Sequence, residues 1–335
     1  MKKLLERNII ITYISSCLGW GRFFIPVLAL FYIASQVSVE QYGIILGVFF
    51  LVILLLEIPS GVIADLIGRK NSIIIAKVMY VVEIYLFAFH DGFWIFLIAK
   101  IISGIGVSFD SGAGQALLFD SLKKLKREDE HKKITGIKEM IRNTSMAIVF
   151  IIGAYLFTIH YKLPAIVSLP FTIINLGLVF LYFEPYVNKR KLTFKNSYLQ
   201  FKEGLIHFWN HGYIKYLAFL SLPLLAVVAT LQSYSSLYLE QILIPIAFIG
   251  VIAFISSMIS AYTSKKADAI EKQIGEKKSI LLMQVGLVAA AFLMGLMIPV
   301  YGFLFYFIAA FLYGFCFIVI NHYLNLHIES SHRAT

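Results

Sequence analysis

The chain has 335 residues, of which 59% are hydrophobic and only 14% charged. A soluble domain carries roughly a quarter charged residues to keep its surface wet, so this composition excludes a water-exposed globule. The formal charge of +10 would suit nucleic acid, but the basic residues cluster in alternate loops, and that pattern belongs to a membrane protein rather than a nucleic-acid binder.

Apolar runs cover residues 9–34, 42–64, 72–90, 93–119, 138–159, 163–183, 214–238, 242–263, 279–298 and 301–325. Each suffices, as a helix rising 1.5 Å per residue, to cross about 30 Å of hydrocarbon. The pattern predicts an all-α membrane protein, a polytopic bundle of about ten transmembrane helices. Lys2, Lys3 and Arg7 precede the first run as in a signal peptide. That run is too long for a signal core and lacks a small-residue cleavage site, so it is expected to stay as the first helix.

The connections alternate in charge. One set holds Arg69 and Lys70, then Lys123, Lys124, Lys126, Arg127, Lys132 and Lys133. It continues with Lys189, Arg190, Lys191, Lys195 and Lys202, then Lys265, Lys266, Lys272, Lys277 and Lys278. The other set (35–41, 90–92, 160–162, 240–245 and 299–301) contains one basic residue, Lys162. Positive charge marks the cytoplasmic side, which places both termini in the cytoplasm and the chain, multi-pass, in a plasma (inner) membrane. In the longest connection, Phe194, Tyr198, Phe201, Leu205 and Phe208 share one helical face. This predicts an amphipathic helix on the inner membrane surface; the plain alternative is a solvated linker.

Charged residues within or at the edge of the apolar runs include Arg22, Glu57, Lys77, Glu83, Lys100, Asp110 and Asp120. A charge at the bilayer centre costs at least ~2.5–3.5 kcal/mol on insertion scales, so such residues face a cavity or pair with each other. Glu57 and Asp120 lie near cytoplasmic ends. Lys77 and Glu83 are six apart on one helix and do not share a face. The loop after the second run reads E-I-P-S-G-V-I-A-D-L-I-G-R-K over residues 57–70. Gly61 would allow a close helix approach, Gly68 a tight turn, and Asp65 sets an acid beside Arg69 and Lys70. By itself this could be a basic turn that only fixes topology.

The G-x-x-x-D-x-x-G-R-K spacing after helix two resembles the major facilitator superfamily. Lys100-x-x-x-Gly104-x-Gly106 is similar to its R-x-x-x-G-x-G element, with lysine for arginine. Ser111-Gly112 followed by Ala116–Lys123 is similar to the S-G-x-x-x-A-L-x-x-D-S-L-K run of a bacterial efflux-type branch. Gly114 and Gln115 depart from that branch, whose members often carry acids there. The basic stretch 264–278 stands where the second half of the superfamily fold repeats the helix 2–3 loop.

The resemblance implies a 12-helix, two-bundle fold: residues 1–184 as an N-terminal six-helix bundle, 185–213 as the cytoplasmic linker, and 214–335 as an incomplete C-terminal bundle of four helices. The final residues resemble the S-x-x-R-A-T stretch that opens helix eleven, so a chain cut short before its last two helices is expected. Asp65 faces that helix in the family and would lack this partner here. The resemblance further implies that Gly61, Asp65, Gly68, Arg69, Lys70 and Asp120 form a cytoplasmic gate, Asp120 pairing with Arg69. Helices one and four line the family's central cavity, which makes Arg22, Lys100, Gly104 and Asp110 candidates for contact with substrate or ion. The plain alternative is an internal salt bridge.

The implied activity is secondary active transport of a small molecule, drug-like or metabolite, by alternating access, with export suggested by the efflux-type features. The competing reading is a non-transporting remnant or accessory membrane subunit. Expected partners are a small-molecule substrate, a proton or other coupling ion and the lipid bilayer, with no nucleic acid, the protein acting as a monomer. No cofactor, metal or catalytic residue is expected: phosphate-binding loops and hydrolase motifs are absent, Cys17 and Cys316 sit in apolar runs, and His207 and His211 lack a third ligand.

Overall fold

Every apolar run becomes helical. The computed structural model describes residues 2–185, 209, 212–296 and 298–327. The helices are α1 (Lys2–Gly19), α2 (Leu28–Ala34), α3 (Val39–Ile67), α4 (Arg69–Phe89), α5 (Phe93–Asp110), α6 (Ala113–Leu125), α7 (His131–Ile159) and α8 (Leu163–Val179). They continue with α9 (Gly212–Gln241), α10 (Ile246–Ile274), α11 (Glu276–Gly295) and α12 (Phe303–His327). The expected amphipathic helix and the C-terminal S-x-x-R-A-T stretch lie outside the described residues.

Among the described residues, five segments are long and apolar enough to cross a membrane: Val39–Ile67, Arg69–Phe89, Phe93–Leu125, Glu128–Ile159 and Ile246–Ala267. Shorter apolar helices cover Ile25–Ala34, Leu163–Val179, Leu281–Gly295 and Phe303–Phe315. The apolar window of α3 is only 11% buried, and such a surface is stable against hydrocarbon, not water. The chain is an all-α polytopic membrane protein.

Two compact units divide it: Met1–Ile25 with Leu30–Ser197, and Pro26–Ala29 with Tyr198–Thr335. In the first, apolar faces of α1, α4, α6 and α8 meet through Ile11, Ile73, Leu117, Val179 and Tyr182. The basic end is tied by Asn8, which is fully buried. Its amide donates to Ser121 Oγ at 2.9 Å and to the Phe183 carbonyl at 2.8 Å, and accepts from Phe183 N at 2.9 Å. At the opposite end Phe31, Tyr32, Phe87 and Phe96 make edge and stacked ring contacts, the geometry that aromatic quadrupoles favour.

In the second unit, Val228, Met283, Leu287, Leu312 and Phe315 form the core. Ser264 Oγ donates to the Gly314 carbonyl at 2.8 Å across α10 and α12. The α10–α11 corner repeats the α3–α4 corner in its backbone. Gly68 (φ 94°, ψ 146°) ends α3 and starts α4, and Gly275 (φ 84°, ψ 153°) does the same for α10 and α11. Only glycine holds such a positive φ without strain.

The first span departs from the continuous helix expected over residues 9–34. α1 stops at Gly19, and a turn over Ile25–Val27 leads into α2. Gly19, Gly21 and Pro26 weaken the helix here. The amides of the break are satisfied locally: Gly21 N donates to the Leu18 carbonyl at 2.9 Å, Ile25 N to the Arg22 carbonyl at 3.1 Å, and Phe23 N to Ser168 Oγ on α8 at 2.8 Å. Irregular backbone at membrane depth persists only where protein supplies such partners.

Candidate functional site

The break lifts Arg22 out of a helix face and aims it at α4. There Lys77, Tyr80 and Glu83 recur at three-residue spacing, and, against the expectation that Lys77 and Glu83 do not share a face, both pair with residues of α5. Glu83 is fully buried. Lys100 Nζ on α5 donates to its Oε1 at 2.8 Å, and Arg22 Nη1 stands 3.4 Å from its Oε2. Nearly two turns along α4, Lys77 Nζ donates to Asp110 Oδ2 at 2.7 Å. The Tyr80 ring lies beneath both cations, 4.3 Å from the Arg22 guanidinium carbon and 5.2 Å from Lys77 Nζ. Three cations thus share two carboxylates and an aromatic face. A buried carboxylate is tolerable only when paired in this way.

Beside the network opens a cavity of about 400 Å³ within the first unit. Arg22, Lys77, Tyr80 and Asp110 form one wall, with Trp20 and Asn175 nearby. From α7 come Lys138, Glu139 and Arg142; Glu139 accepts an ion pair from Arg142 at 2.7 Å and stands 3.4 Å from Lys138. The volume lies in the range of small-molecule sites.

Of the four residues proposed for the cavity from sequence, Arg22 and Asp110 line it. Lys100 and Gly104 do not: Lys100 stands behind Glu83, and a Cβ on Gly104 would fall 2.9 Å from Val52 Cγ1 on α3, so that glycine serves helix packing. Salt bridging and cavity lining are combined rather than alternatives, since Arg22 and Asp110 do both. Glu83, noted in the sequence as a charge in an apolar run, was not proposed for the site, and nothing in the sequence pointed to Tyr80. Cys17, in an apolar run, is exposed, and its thiol accepts from Ser145 Oγ of α7 at 3.2 Å.

At the basic end, Arg69 Nε lies 3.3 Å from Asp120 Oδ2, and Arg69 Nη2 lies 3.7 Å from Asp65 Oδ1. Glu184 joins this cluster from beyond α8. Its Oε2 accepts the Lys70 amide at 2.7 Å, in the first turn of α4, where the helix dipole favours an anion. Burial nevertheless pushes the Glu184 carboxyl above its ordinary value, against the pull of the Lys70 amide and Arg69. A Cβ on Gly68 would come within 3.1 Å of Glu184 Oε2, so the absent side chain makes room for the carboxylate as well as allowing the turn. Gly61 is exposed, and a Cβ there would meet nothing within 4 Å. No close helix approach uses it among the described residues.

At the opposite end stands Lys162, the lone cation of its loop set. It is only 6% exposed. Its Nζ donates to the Phe87 carbonyl at 2.9 Å and the His90 carbonyl, and pairs with Asp91 Oδ1 at 2.7 Å. A cation there also complements the C-terminal dipole of α4. Burial alone would raise the Asp91 carboxyl, but hydrogen bonds from Lys162 and Tyr161 outweigh it and hold the group below the ordinary range.

A polytopic helical bundle with charged residues gathered beside a cavity is an arrangement that membrane transporter folds share. A family model described as Major Facilitator Superfamily matches residues 9–335. The chain belongs to the Major Facilitator Superfamily. It is 29% identical over 146 residues to the uncharacterized MFS-type transporter YxaM of Bacillus subtilis (strain 168), covering 42% of this chain and 34% of that relative. Against the uncharacterized MFS-type transporter MJ1560 of Methanocaldococcus jannaschii it is 31% identical over 108 residues, 31% of this chain and 28% of that one. These matches span about a third of the relatives' length. Among solved structures, the nucleoside transporter NupG is similar with a TM-score of 0.76 at 13% identity, over 99% of this chain and 84% of that one. The D-xylose-proton symporter gives 0.68 at 14% identity, over 94% and 81%. An inward-facing bacterial homolog of the lysosomal transporter Spinster gives 0.72 at 15% identity, over 99% and 76%. At such identities the likeness shows a shared fold.

Proposed function

We propose that this chain is a secondary active transporter that moves a polar small molecule, outward, across a bacterial plasma membrane by alternating access. The observation that carries the reading is the cavity of about 400 Å³ walled by Arg22, Lys77, Tyr80 and Asp110. Charges are costly at membrane depth and are kept where they meet a substrate or ion. The basic end of the bundle faces the cytoplasm. There Asp65, Arg69 and Asp120, seated on the Gly68 corner, act as a gate whose ion pairs hold one state of the transporter. A proton or ion gradient drives the cycle, and the protein works as a monomer. Residues 1–184 form one bundle, 185–213 the linker, and the remainder the second bundle.

Reconstitution tests this directly. Proteoliposomes holding the full chain are expected to take up polar solutes saturably when a pH gradient is imposed, and to lose that uptake when the gradient is collapsed. A folded preparation with no gradient-dependent flux for any solute of a broad metabolite panel ends the transporter reading.

A further inference from the structure

The charges around the cavity do not balance. Glu83 is shared by two cations, Arg22 and Lys100, and Glu139 by two more, Lys138 and Arg142. Only Asp110 is matched one to one, by Lys77. On the cavity wall itself, four cations (Arg22, Lys77, Lys138, Arg142) face two carboxylates (Asp110, Glu139). Adding the buried Glu83–Lys100 pair leaves the same excess of two positive charges. Arg22 and Lys138 are only 18% and 20% exposed, so water screens the excess incompletely and an anion beside them is favoured.

Geometry identifies where that charge would sit. Lys100 holds Glu83 at hydrogen-bond distance, 2.8 Å, whereas Arg22 stands off at 3.4 Å. Lys100 therefore holds Glu83 Oε1, and Arg22, which faces Oε2 without a hydrogen bond to it, is the more loosely held of the two cations. Its guanidinium lies over the Tyr80 ring, an arrangement that leaves the in-plane N–H groups available. A guanidinium fork matches carboxylate or phosphate oxygens two at a time. Trp20, which lines the same cavity with the Arg142 guanidinium 5.9 Å from its ring centre, offers an aromatic face.

We infer that the cavity takes a small organic anion, carrying a carboxylate or phosphate that engages Arg22 and is drawn by the surplus charge of Lys138 and Arg142. This deepens the transporter reading of the same cavity and rests on it.

Trp20 supplies the reporter. The chain has three tryptophans, so the full-length Trp94→Phe/Trp209→Phe variant emits from Trp20 alone. In this protein, the ratio of iodide to caesium quenching of Trp20, at equal ionic strength, is expected to exceed that of free N-acetyltryptophanamide. Phenyl phosphate and benzoate are expected to change the emission saturably, while benzyltrimethylammonium, of similar size, does not. Arg22→Gln should weaken phenyl phosphate binding about tenfold or more, as loss of a charge-assisted pair does. Should that variant not fold, Lys138→Gln provides a second reading, with iodide quenching reduced.

A quenching ratio no higher than that of the free amide, no saturable response to either anion, or tighter binding of benzyltrimethylammonium overturns the inference. Counterflow of phenyl phosphate in proteoliposomes separates the two readings. Binding without counterflow keeps the anion site and removes the transporter; counterflow of the cation alone keeps the transporter and removes the anion site.

Discussion

Arg22 Nη1 and Glu83 Oε2 stand 3.4 Å apart because the first span unwinds. In an unbroken helix Arg22 would continue the surface of α1. Glu83 in turn is the shared counter-ion of two cations on two different elements. Glu83→Gln would leave Arg22 and Lys100 buried without a carboxylate, a loss expected to cost about 3–5 kcal/mol. Lys100→Met should cost less, since Arg22 still faces the carboxylate, and the double variant should recover part of the loss. Thermal unfolding in detergent measures all three; wild-type melting of Glu83→Gln would show that the network contributes nothing.

The Arg69 cluster calls for the opposite outcome. Its side chains are partly exposed, and exposed pairs contribute only about 0–1 kcal/mol to stability. Asp120→Asn is therefore expected to leave the melting temperature within about 3 °C while lowering proteoliposome flux several-fold, with Asp120→Glu largely restoring it. Unchanged flux in a folded Asp120→Asn protein would remove the gate role.

At the other end, Asp91 makes a pH prediction. Its carboxyl is held below the ordinary value in the folded chain. The resulting stabilisation is complete above the ordinary carboxylate range and disappears as pH falls through the depressed value. The melting temperature should be level from neutrality to about pH 5 and fall below about pH 4. Asp91→Asn should lower the plateau and flatten the acid limb; an acid limb identical in the variant assigns the loss to other carboxylates.

Helix packing in the second unit rests on Gly314. A Cβ there would overlap the Ser260 carbonyl oxygen and Thr263 Oγ1 on α10. Gly314→Ala is expected to destabilise by about 1–3 kcal/mol or more, as overpacking does. Gly136→Ala on α7, where a Cβ meets nothing within 4 Å, should instead gain up to about 1 kcal/mol from helix propensity. Detergent melting curves of the two variants, run together, should move in opposite directions.

The spans were legible because hydrocarbon imposes length and charge rules on any sequence that crosses it. The lone Lys162 was visible for the same reason, as an exception to the alternation. Its purpose was not, since the Phe87 and His90 carbonyls it meets are backbone atoms 75 and 72 residues away. The break near Gly21 hid inside an apolar run, because periodicity averages over many residues and one hydroxyl on α8 decides the outcome. Glu184 escaped notice because its partner is an amide whose availability depends on where α4 begins. The family motifs pointed to Asp65 and Arg69 through one local pattern and to Asp120 through a second. The Arg22–Glu83–Lys100 junction has no pattern and exists only in three dimensions.

Ser168 illustrates how far such dependence reaches. Its hydroxyl receives the Phe23 amide and donates to the Pro164 carbonyl at 2.6 Å. A residue that lines no cavity and carries no charge thereby sets the station of the guanidinium one position earlier in the chain. Inheritance of the arginine alone would not transmit its chemistry; the serine must travel with it.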